Sequence, residues 1–430
     1  MMLLFLAFSL LPHTEQVAPG IWAAGFSDKY KSANSGWVVT KDSAFVIDAP
    51  PTPEHLQEIA RLSGKPTRTE LPPDARTVAG NAVWLPKQQV LFARNAVTNG
   101  PRADLTQSDT AAWIRSLKEL ENLKPKVVVP GRGSWGGPEL LSRQRRFLEE
   151  LRRQVGYGIS MGRPLEAIIN EVLLPASYYT WMPYDNPRKE DIAHLYKELT
   201  IPHAPFSGKP ANGALVLIAD RFHEPEHLEA GLRPALEAAG ITPHFTVDVR
   251  ALNAENLARV QLLVILRDGM LWPDGPSKPY KIWMTAEQEK SVVDFVHNGG
   301  AFLNLHNSMG LYPENGPYLN LVAGRYIGHG PLERFRVEVV DKSHPITQGV
   351  SDWSVADEQH TPPYDEKKAH LLLRNRSDDG KTAAAGWVYE PGKGRLVHLA
   401  SGHTREALEH PMFQKLARNS IAWLLRSHSK

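Results

Sequence analysis

Apolar runs of strand length alternate with amphipathic segments in the second half of the chain, and this alternation restricts the fold more than any other feature. The runs are Ala214–Asp220, Gln261–Leu266 and Ala301–His306. Their continuous apolar character is typical of buried parallel strands. The segments 226–239 and 286–298 have helical periodicity and stop at glycines, and a further strand is predicted to begin at Thr246. The order predicts a doubly wound α/β sheet.

The carboxyl ends of those strands are the first place to look for a site. In doubly wound sheets, ligands bind beyond the carboxyl ends of the parallel strands. Three polar segments follow the predicted strands, namely Asp220–Glu224, Arg267–Gly269 and His306–Ser308. Topology alone therefore makes these segments candidates for binding or catalysis.

The chain of 430 residues is long enough for two domains. We predict an apolar N-terminal segment at 1–16, a first domain at 17–160, a helical and proline-rich connector at 161–210, and a second domain at 211–430. With 42% hydrophobic and 22% charged residues, the composition is that of a folded globular protein.

The first twelve residues form an apolar run that is too short to span a bilayer. The run has the length of a signal-peptide core, but it lacks a positively charged start and an Ala-x-Ala cleavage site. Export to the periplasm or outside the cell is one interpretation, and a cytoplasmic protein with an apolar first strand is the other. No later segment has transmembrane character, so we predict no membrane association of the mature form.

Charge and cysteine content exclude several classes of function. The 49 basic and 47 acidic residues leave a net charge of +2, which gives no field for collecting polyanions, so we predict no nucleic-acid partner. The chain has no cysteine. Thiol nucleophiles, cysteine-ligated zinc, iron–sulfur clusters and disulfides are therefore excluded.

The first domain carries an ordered series of short strand-like motifs divided by turns, which indicates a β-rich fold. This series resembles the metallo-β-lactamase superfamily, and the resemblance implies an αββα sandwich. The motifs are Gly20-Ile21-Trp22, Ser35-Gly36-Trp37-Val38-Val39, Val46-Ile47-Asp48, Trp84-Leu85-Pro86, Leu91-Phe92-Ala93 and Val129-Pro130-Gly131-Arg132-Gly133.

The metal ligands of that superfamily are missing from these motifs. Asn95 stands where the resemblance leads us to expect a bridging aspartate, and Arg132 stands where it leads us to expect a histidine. A guanidinium cannot ligate a cation, and between Asp48 and Trp84 the only histidine is His55, within a predicted helix. We therefore predict a truncated, degenerate domain without metallo-β-lactamase activity.

The second domain carries six ordered motifs that resemble the trehalose-utilisation (ThuA-like) family. The resemblance implies a sheet similar to flavodoxin and to class I glutamine amidotransferases, and a link to disaccharides and keto-sugars. Departures from the family pattern occur at Ala323, Gly330 and His360. The motifs are Asp220–Glu224, Gly299–His306, Tyr318–His329, Asp341–Gly349, Asp357-Glu358 and Gly394–His403.

His306 occupies the turn where the related amidotransferases have their cysteine nucleophile. Without a thiol, glutamine hydrolysis by that mechanism is excluded. An imidazole can exchange protons near neutral pH, and carboxylates suit proton transfer or hydroxyl binding. We predict catalytic roles for His306, Asp357 and Glu358, and substrate binding by His223, Glu224, Asn307, His329 and His403.

The same side chains allow a second interpretation. His223, His306, His329 and His403, with Asp357 or Glu358, could together bind a divalent ion such as Zn²⁺. His223 and His227 have the spacing of two ligands on one helix face, but Pro225 between them favours a helix that begins after His223. From the sequence we assign no metal ligand and no cofactor.

These observations predict a carbohydrate-related enzyme that is a hydrolase, an isomerase or a lyase, with a small carbohydrate as its partner. The alternative is a non-catalytic sugar-binding or scaffolding protein. Both hypotheses require the histidines and carboxylates to meet at one edge of the second sheet. The oligomeric state is not predicted.

Overall fold

A computed structural model describes residues 13–25, 33–47, 52–100, 104–174, 188–200 and 212–425. The apolar run at the start of the chain, and 175–187 and 201–210 of the predicted connector, lie outside these residues. The chain divides into two compact units, of which one comprises 1–152 and 172–195 and the other comprises 153–171 and 196–430. Within the described residues, no helix combines the length and apolar character that crossing a membrane requires.

Two sheets form the first unit. The first sheet has the order β1-β2-β3-β4-β5 and the second has the order β6-β7-β8-β9. Most neighbouring strands pair antiparallel, but β5 runs parallel to β4 and β9 runs parallel to β8. The strands are β1 (Glu15–Ala18), β2 (Ile21–Ala24), β3 (Ser35–Val39), β4 (Ala44–Ile47), β5 (Thr67–Arg68), β6 (Arg76–Thr77), β7 (Val83–Leu85), β8 (Val90–Asn99) and β9 (Val127–Gly133).

The two sheets of the first unit share an apolar core. Ile21 and Val38 of the first sheet pack in one buried cluster with Val83, Phe92 and Val129 of the second. On the other face of the first sheet, α1 (Pro53–Ser63) buries Ile59 against Trp37 and Val46, while α2 (Thr110–Asn122) contacts β8. Helices outside two facing sheets give the αββα arrangement expected from the sequence.

Local signals account for the ends of these helices. Thr52 precedes Pro53 and accepts a hydrogen bond from the backbone N–H of His55. The side chain of Asp109 accepts one from the backbone N–H of Ala112 and so caps α2 in the same way.

Three further helices follow along the chain: α3 (Glu139–Ser160), α4 (Leu165–Glu171) and α5 (Arg188–Thr200).

The second unit is built on a sheet of nine strands with the order β11-β10-β12-β15-β20-β19-β18-β16-β17. The first five of these strands are parallel and the remaining pairs are antiparallel. The strands are β10 (Gly213–Ile218), β11 (Thr242–Thr246), β12 (Leu262–Leu266), β15 (Ala301–Leu305), β16 (His329–Val339), β17 (Trp353–His360), β18 (His370–Arg376), β19 (Thr382–Tyr389) and β20 (Arg395–Leu399), with a separate small hairpin of β13 (Met270–Leu271) and β14 (Lys281–Ile282).

Helices cover both faces of this sheet, as a doubly wound fold requires. On one face, Leu215, Leu263 and Phe302 pack against Val292 and Val296 of one helix in a single buried cluster. On the other face, a C-terminal helix contacts β15 and β20. The helices are α6 (Pro225–Ala238), α7 (Ala254–Leu257), α8 (Ala286–His297), α9 (Pro317–Val322), α10 (Arg405–Glu409) and α11 (Pro411–Leu425).

The structure confirms the parallel strands predicted at β10, β12 and β15, but the strand predicted to begin at Thr246 was wrong. β11 ends at that residue and runs from Thr242. β11 is the outermost strand on its side of the sheet and is only partly buried, so it lacks the apolar run that marks its neighbours. The four antiparallel strands β16 to β19 were not anticipated.

Gly36 of β3 packs directly against Phe92 of the facing sheet in the first unit. A Cβ atom at this position would lie 2.0 Å from the ring of Phe92 and 2.9 Å from the carbonyl oxygen of Trp22. Neither neighbour can move without disturbing the buried core. Glycine at this position is therefore a packing requirement.

We expect Gly36→Ala to lower the free energy of unfolding by about 1–3 kcal/mol, since overpacking forces the ring or the strand to shift. The measurement is chemical denaturation of the full chain. Gly156→Ala is the control, because its Cβ would meet its nearest atoms at 3.7 and 3.9 Å, which is ordinary contact. Equal stability of the Gly36 variant and the wild type would contradict the packing argument.

Candidate functional site

His306 lies on the turn after β15, fully buried and in a left-handed backbone conformation with φ 49°. Its Nδ1 lies 2.8 Å from the carbonyl oxygen of Ala400 and donates to it. In the neutral ring this contact leaves Nε2 with a lone pair, and Nε2 is buried without a hydrogen-bond partner. Gly402 allows the loop after β20 to lie close to His306, because a Cβ atom at position 402 would be 2.9 Å from Cβ of His306.

Asp357 connects the edge strand β17 to the loop that follows β20. Its carboxylate accepts hydrogen bonds from the backbone N–H groups of Gly402, His403 and Thr404 at 2.9, 3.0 and 3.0 Å. Burial raises the pKa of the Asp357 carboxyl, although these bonds act in the opposite direction. The carboxylate is fully buried and occupied by backbone donors, so it positions the loop; its predicted part in catalysis stays a prediction.

Glu358, the next residue, faces four imidazoles. Its Oε2 lies 3.3 Å from Nδ1 of His403, 3.6 Å from Nε2 of both His306 and His360, and 3.7 Å from Nε2 of His329. The rings of His306 and His360 are stacked with centroids 4.0 Å apart. We call these five residues the histidine–glutamate cluster. It combines a fully buried imidazole with a carboxylate that is 17% exposed, so it is open to solvent on one side.

A second chain of hydrogen bonds ends at the same place. Asp220 Oδ1 lies 2.8 Å from Nδ1 of His223, and Nε2 of His223 lies 3.0 Å from Nδ1 of His403. Asn307 and the backbone N–H of Asp268 donate to the other oxygen of Asp220. Asp220 is thus held in place by four donors, counting the backbone N–H of Phe222.

The charges along this chain favour a proton on His223. Burial acts to lower the pKa of His223, but the charge and the hydrogen bond of Asp220 raise it above its usual value. Burial and the neighbouring charge of His223 lower the pKa of His403 to about 4. For Asp220, burial is outweighed by His223 and Asn307, which hold the carboxyl pKa well below its usual range.

In the histidine–glutamate cluster, the carboxylate of Glu358 and the buried imidazole of His360 have shifted pKa values. Burial acts to raise the pKa of Glu358, but the facing imidazoles hold it well below its usual range. Burial lowers the pKa of His360 to about 3. The carboxylate is therefore ionised at neutral pH and His360 is neutral.

Seven of the eight site residues proposed from the sequence converge at this edge of the sheet. His223, Asn307, His306, His329, Asp357, Glu358 and His403 lie in the contacts described above. The structure places Glu224 at the amino end of α6, where its side chain is 54% exposed and pairs with Arg153 at 3.2 Å. Its part in substrate binding stays a prediction.

In the sequence, His360 stands out only as a departure from the family pattern, yet in the structure it belongs to the cluster. A usable signal was present, since residues two apart on a strand share a face and Glu358 and His360 are two apart on β17. Asp220 and Asp268 lay within the segments selected by topology, but neither was singled out.

Two groups of side chains have the spacing of metal ligands, His223 with His306 and His403, and His306 with Glu358 and His360. Both lie in the second unit. Over the described part of the first unit no such group occurs, and Asn95 and Arg132, at the positions of the expected ligands, are exposed.

Comparison with known proteins agrees with this division of the chain. Residues 214–424 match the family model described as ThuA, trehalose utilisation. The C-terminal half resembles this family, and we call it the ThuA-like domain. A solved ThuA-like protein from Parabacteroides merdae is 18% identical, with a TM-score of 0.42, and the match covers 50% of this chain and 90% of that one.

The N-terminal half resembles metallo-β-lactamases. A curated type 2 metallo-β-lactamase from Bacteroides fragilis is 25% identical over 108 residues, which are 23% of this chain and 43% of that protein. The chain thus spans less than half the length of this relative. A solved metallo-β-lactamase from Pontibacter korlensis is 20% identical, with a TM-score of 0.25, and the match covers 32% of this chain and 98% of that one.

A groove of about 850 Å³ adjoins the site in the ThuA-like domain. Tyr326 belongs to both, because it lines the groove and its ring centroid lies 5.1 Å from that of His360. Tyr280 and Tyr364 also line the groove, together with Asp365 and Lys368. A depression of about 950 Å³ at the amino ends of β15 and β20 lies at the opposite end of these strands from His306.

The role of Asp357 can be tested by its stability effect. Asp357→Asn keeps the shape but turns an N–H donor toward a loop that offers only N–H donors, so we expect a loss of about 2–3 kcal/mol in the free energy of unfolding. The measurement is denaturant unfolding monitored by circular dichroism. Asp378→Asn, at an exposed position, is the matched control. Equal small losses in both variants would rule out the proposed positioning role.

Proposed function

We propose that the ThuA-like domain is a carbohydrate-processing enzyme that moves protons at the histidine–glutamate cluster. The observation that carries this proposal is the meeting of two arrangements at one edge of the sheet. One is an ionised carboxylate, Glu358, facing four imidazoles, and the other is the hydrogen-bonded chain Asp220–His223–His403. Pairs of titratable groups held in different protonation states are what acid–base catalysis requires.

His403 is the group that delivers a proton. With the shared proton on His223, Nε2 of His223 donates to Nδ1 of His403, and His403 then carries its own proton on Nε2. Release of that proton to a substrate oxygen lets His403 accept the replacement from His223 through Nδ1. Asp220 stabilises the charged form of His223 before the transfer and orients its ring.

Glu358 and His306 accept protons in the same reaction. Nε2 of His306 is aimed at the carboxylate and has no hydrogen-bond partner, so its lone pair is available to a substrate proton. The carboxylate of Glu358 is the more accessible of the two groups and suits binding of sugar hydroxyls. Proton removal and proton delivery from one cluster serve hydrolysis, isomerisation and elimination alike.

Support for a carbohydrate substrate comes from the groove beside the cluster and from the family description, trehalose utilisation. Pockets of 300–1,000 Å³ are typical for small molecules, and this groove falls within that range. Tyrosines offer apolar ring faces with a polar tip, and Asp365 and Lys368 offer polar groups for hydroxyls. A sugar presents both kinds of surface.

The first test is a screen of disaccharides and their keto forms by thermal shift, followed by product analysis of each compound that binds. We expect one class to be converted, and His306→Asn to lower kcat by about 10²–10⁴-fold, as loss of a proton-transfer group does. Asparagine tolerates the left-handed conformation of residue 306, so the fold should persist. The melting temperature of the variant checks this.

His370→Asn is the matched control, because His370 is 59% exposed and pairs with Asp341 away from the cluster. Its turnover should equal that of the wild type. Saturable binding of a carbohydrate without formation of any product would contradict the enzymatic proposal and favour a non-catalytic sugar-binding role. Absence of binding and turnover with every carbohydrate would overturn the carbohydrate assignment.

The chain that ends at His403 yields a separate prediction. Asp220→Asn removes the charge that favours the protonated form of His223, so we expect kcat to fall by on the order of 10²-fold or more while KM changes little. The readout is steady-state kinetics on the substrate found in the screen, with Asp378→Asn as the matched control. A change confined to KM would instead assign Asp220 to substrate binding.

A further inference from the structure

We infer that His306, His360 and Glu358 bind a divalent transition-metal ion through Nε2, Nε2 and a carboxylate oxygen. This inference takes from the proposed function only the location of the site, and it does not depend on the substrate. The three ligand atoms lie within 4.8 Å of one another. They come from two elements that are distant in the chain, the turn after β15 and the edge strand β17.

The distances within the cluster do not suit hydrogen bonds. Oε2 of Glu358 lies 3.6 Å from Nε2 of His306 and 3.6 Å from Nε2 of His360, beyond the 2.7–3.2 Å of good N–H···O bonds. Ligands bound to one ion at about 2.1 Å in tetrahedral geometry are separated by about 3.4 Å. The observed spacing is therefore that of atoms arranged around a shared ion.

His306 has the environment of a metal-ligating histidine. Such a residue usually donates its other ring N–H to a backbone carbonyl or carboxylate, which fixes the tautomer and the ring orientation. Nδ1 of His306 donates to the carbonyl of Ala400 at 2.8 Å. Nε2 is then left without a partner although the residue is fully buried. A bound cation would satisfy this lone pair, whose isolation otherwise costs free energy.

The other group with ligand spacing is less suited to an ion. Both ring nitrogens of His223 already have partners, Asp220 at 2.8 Å and His403 at 3.0 Å. Binding an ion there would break the chain that supplies the proton. With the ion on His306, His360 and Glu358, this chain remains intact and keeps the proton transfer assigned to His403. In the ion-bound form His306 and Glu358 are ligands, and their part as proton acceptors belongs to the ion-free site.

The ligand set indicates the class of ion. Two imidazoles and one carboxylate occur in catalytic zinc sites and in the facial triads of Fe²⁺ sites, whereas Mg²⁺ and Ca²⁺ prefer oxygen ligands alone. His329 is 34% exposed, and its Nε2 lies 3.7 Å from the same carboxylate oxygen. It borders the solvent-facing side, where a fourth ligand or a substrate oxygen would bind.

The test uses the full chain after dialysis against a chelator. Calorimetric titration with Zn²⁺ should give one ion per chain, and titration with Co²⁺ should produce the visible bands of a low-symmetry site with nitrogen and oxygen ligands. Bound Zn²⁺ should raise the melting temperature, because an ion that binds only the folded state stabilises it.

Three variants locate the site, and each should weaken Zn²⁺ binding by at least about tenfold: His306→Asn, His360→Asn and Glu358→Gln. Glu358→Gln is the most reliable for folding, since the carboxylate oxygen facing the cluster is not within hydrogen-bond distance of His306, His360 or His329. His370→Asn is the matched control and should bind Zn²⁺ like the wild type.

The outcomes separate this inference from the proposed function. Absence of Zn²⁺ and Co²⁺ binding by the wild type, or full binding by Glu358→Gln, overturns the metal site. Turnover of a carbohydrate in excess chelator would overturn the metal-bound form as the catalytically active form of the protein. That result would leave the proposed function in place. Stoichiometric binding that is lost in the variants supports the metal site even where no carbohydrate is bound.

Discussion

The contact on which the site depends is the carboxylate of Asp357 with three consecutive backbone N–H groups. In the order of the sheet, β17 is the last strand, four strands away from β20. The three hydrogen bonds join it to the loop after β20 and so hold the edge strand beside the carboxyl ends of the parallel strands. Glu358 and His360 lie on the same strand as Asp357, and these bonds keep them beside His306.

The resulting arrangement concentrates polar groups in a region that the fold otherwise fills with apolar side chains. His223, His306 and His360 are each at most 2% exposed, and each would be costly to bury without compensation. Asp220 compensates His223, and the carbonyl of Ala400 compensates one side of His306. The lone pair on Nε2 of His306 has no hydrogen-bond partner within the protein. A bound ion or a substrate proton would satisfy it.

The core of the N-terminal half is independent of the positions where the resemblance leads us to expect metal ligands. Its two sheets are held by apolar packing, such as that of Phe92 against Gly36, and this packing does not involve the positions of the expected metal ligands. Asn95 and Arg132 at those positions are exposed and lie outside the buried cluster. The apolar core of this half therefore does not depend on the side chains at those positions.

The sequence by itself determined the two α/β halves, the parallel strands and the candidate status of His306, because apolar periodicity and turn residues are local signals. It did not determine that Glu358 and His360 meet His306, or that Glu224 does not. Those outcomes follow from pairing between strands far apart in the chain and from the hydrogen bonds of Asp357 to a distant loop, for which no single segment carries a signal. Only the tertiary structure could decide them.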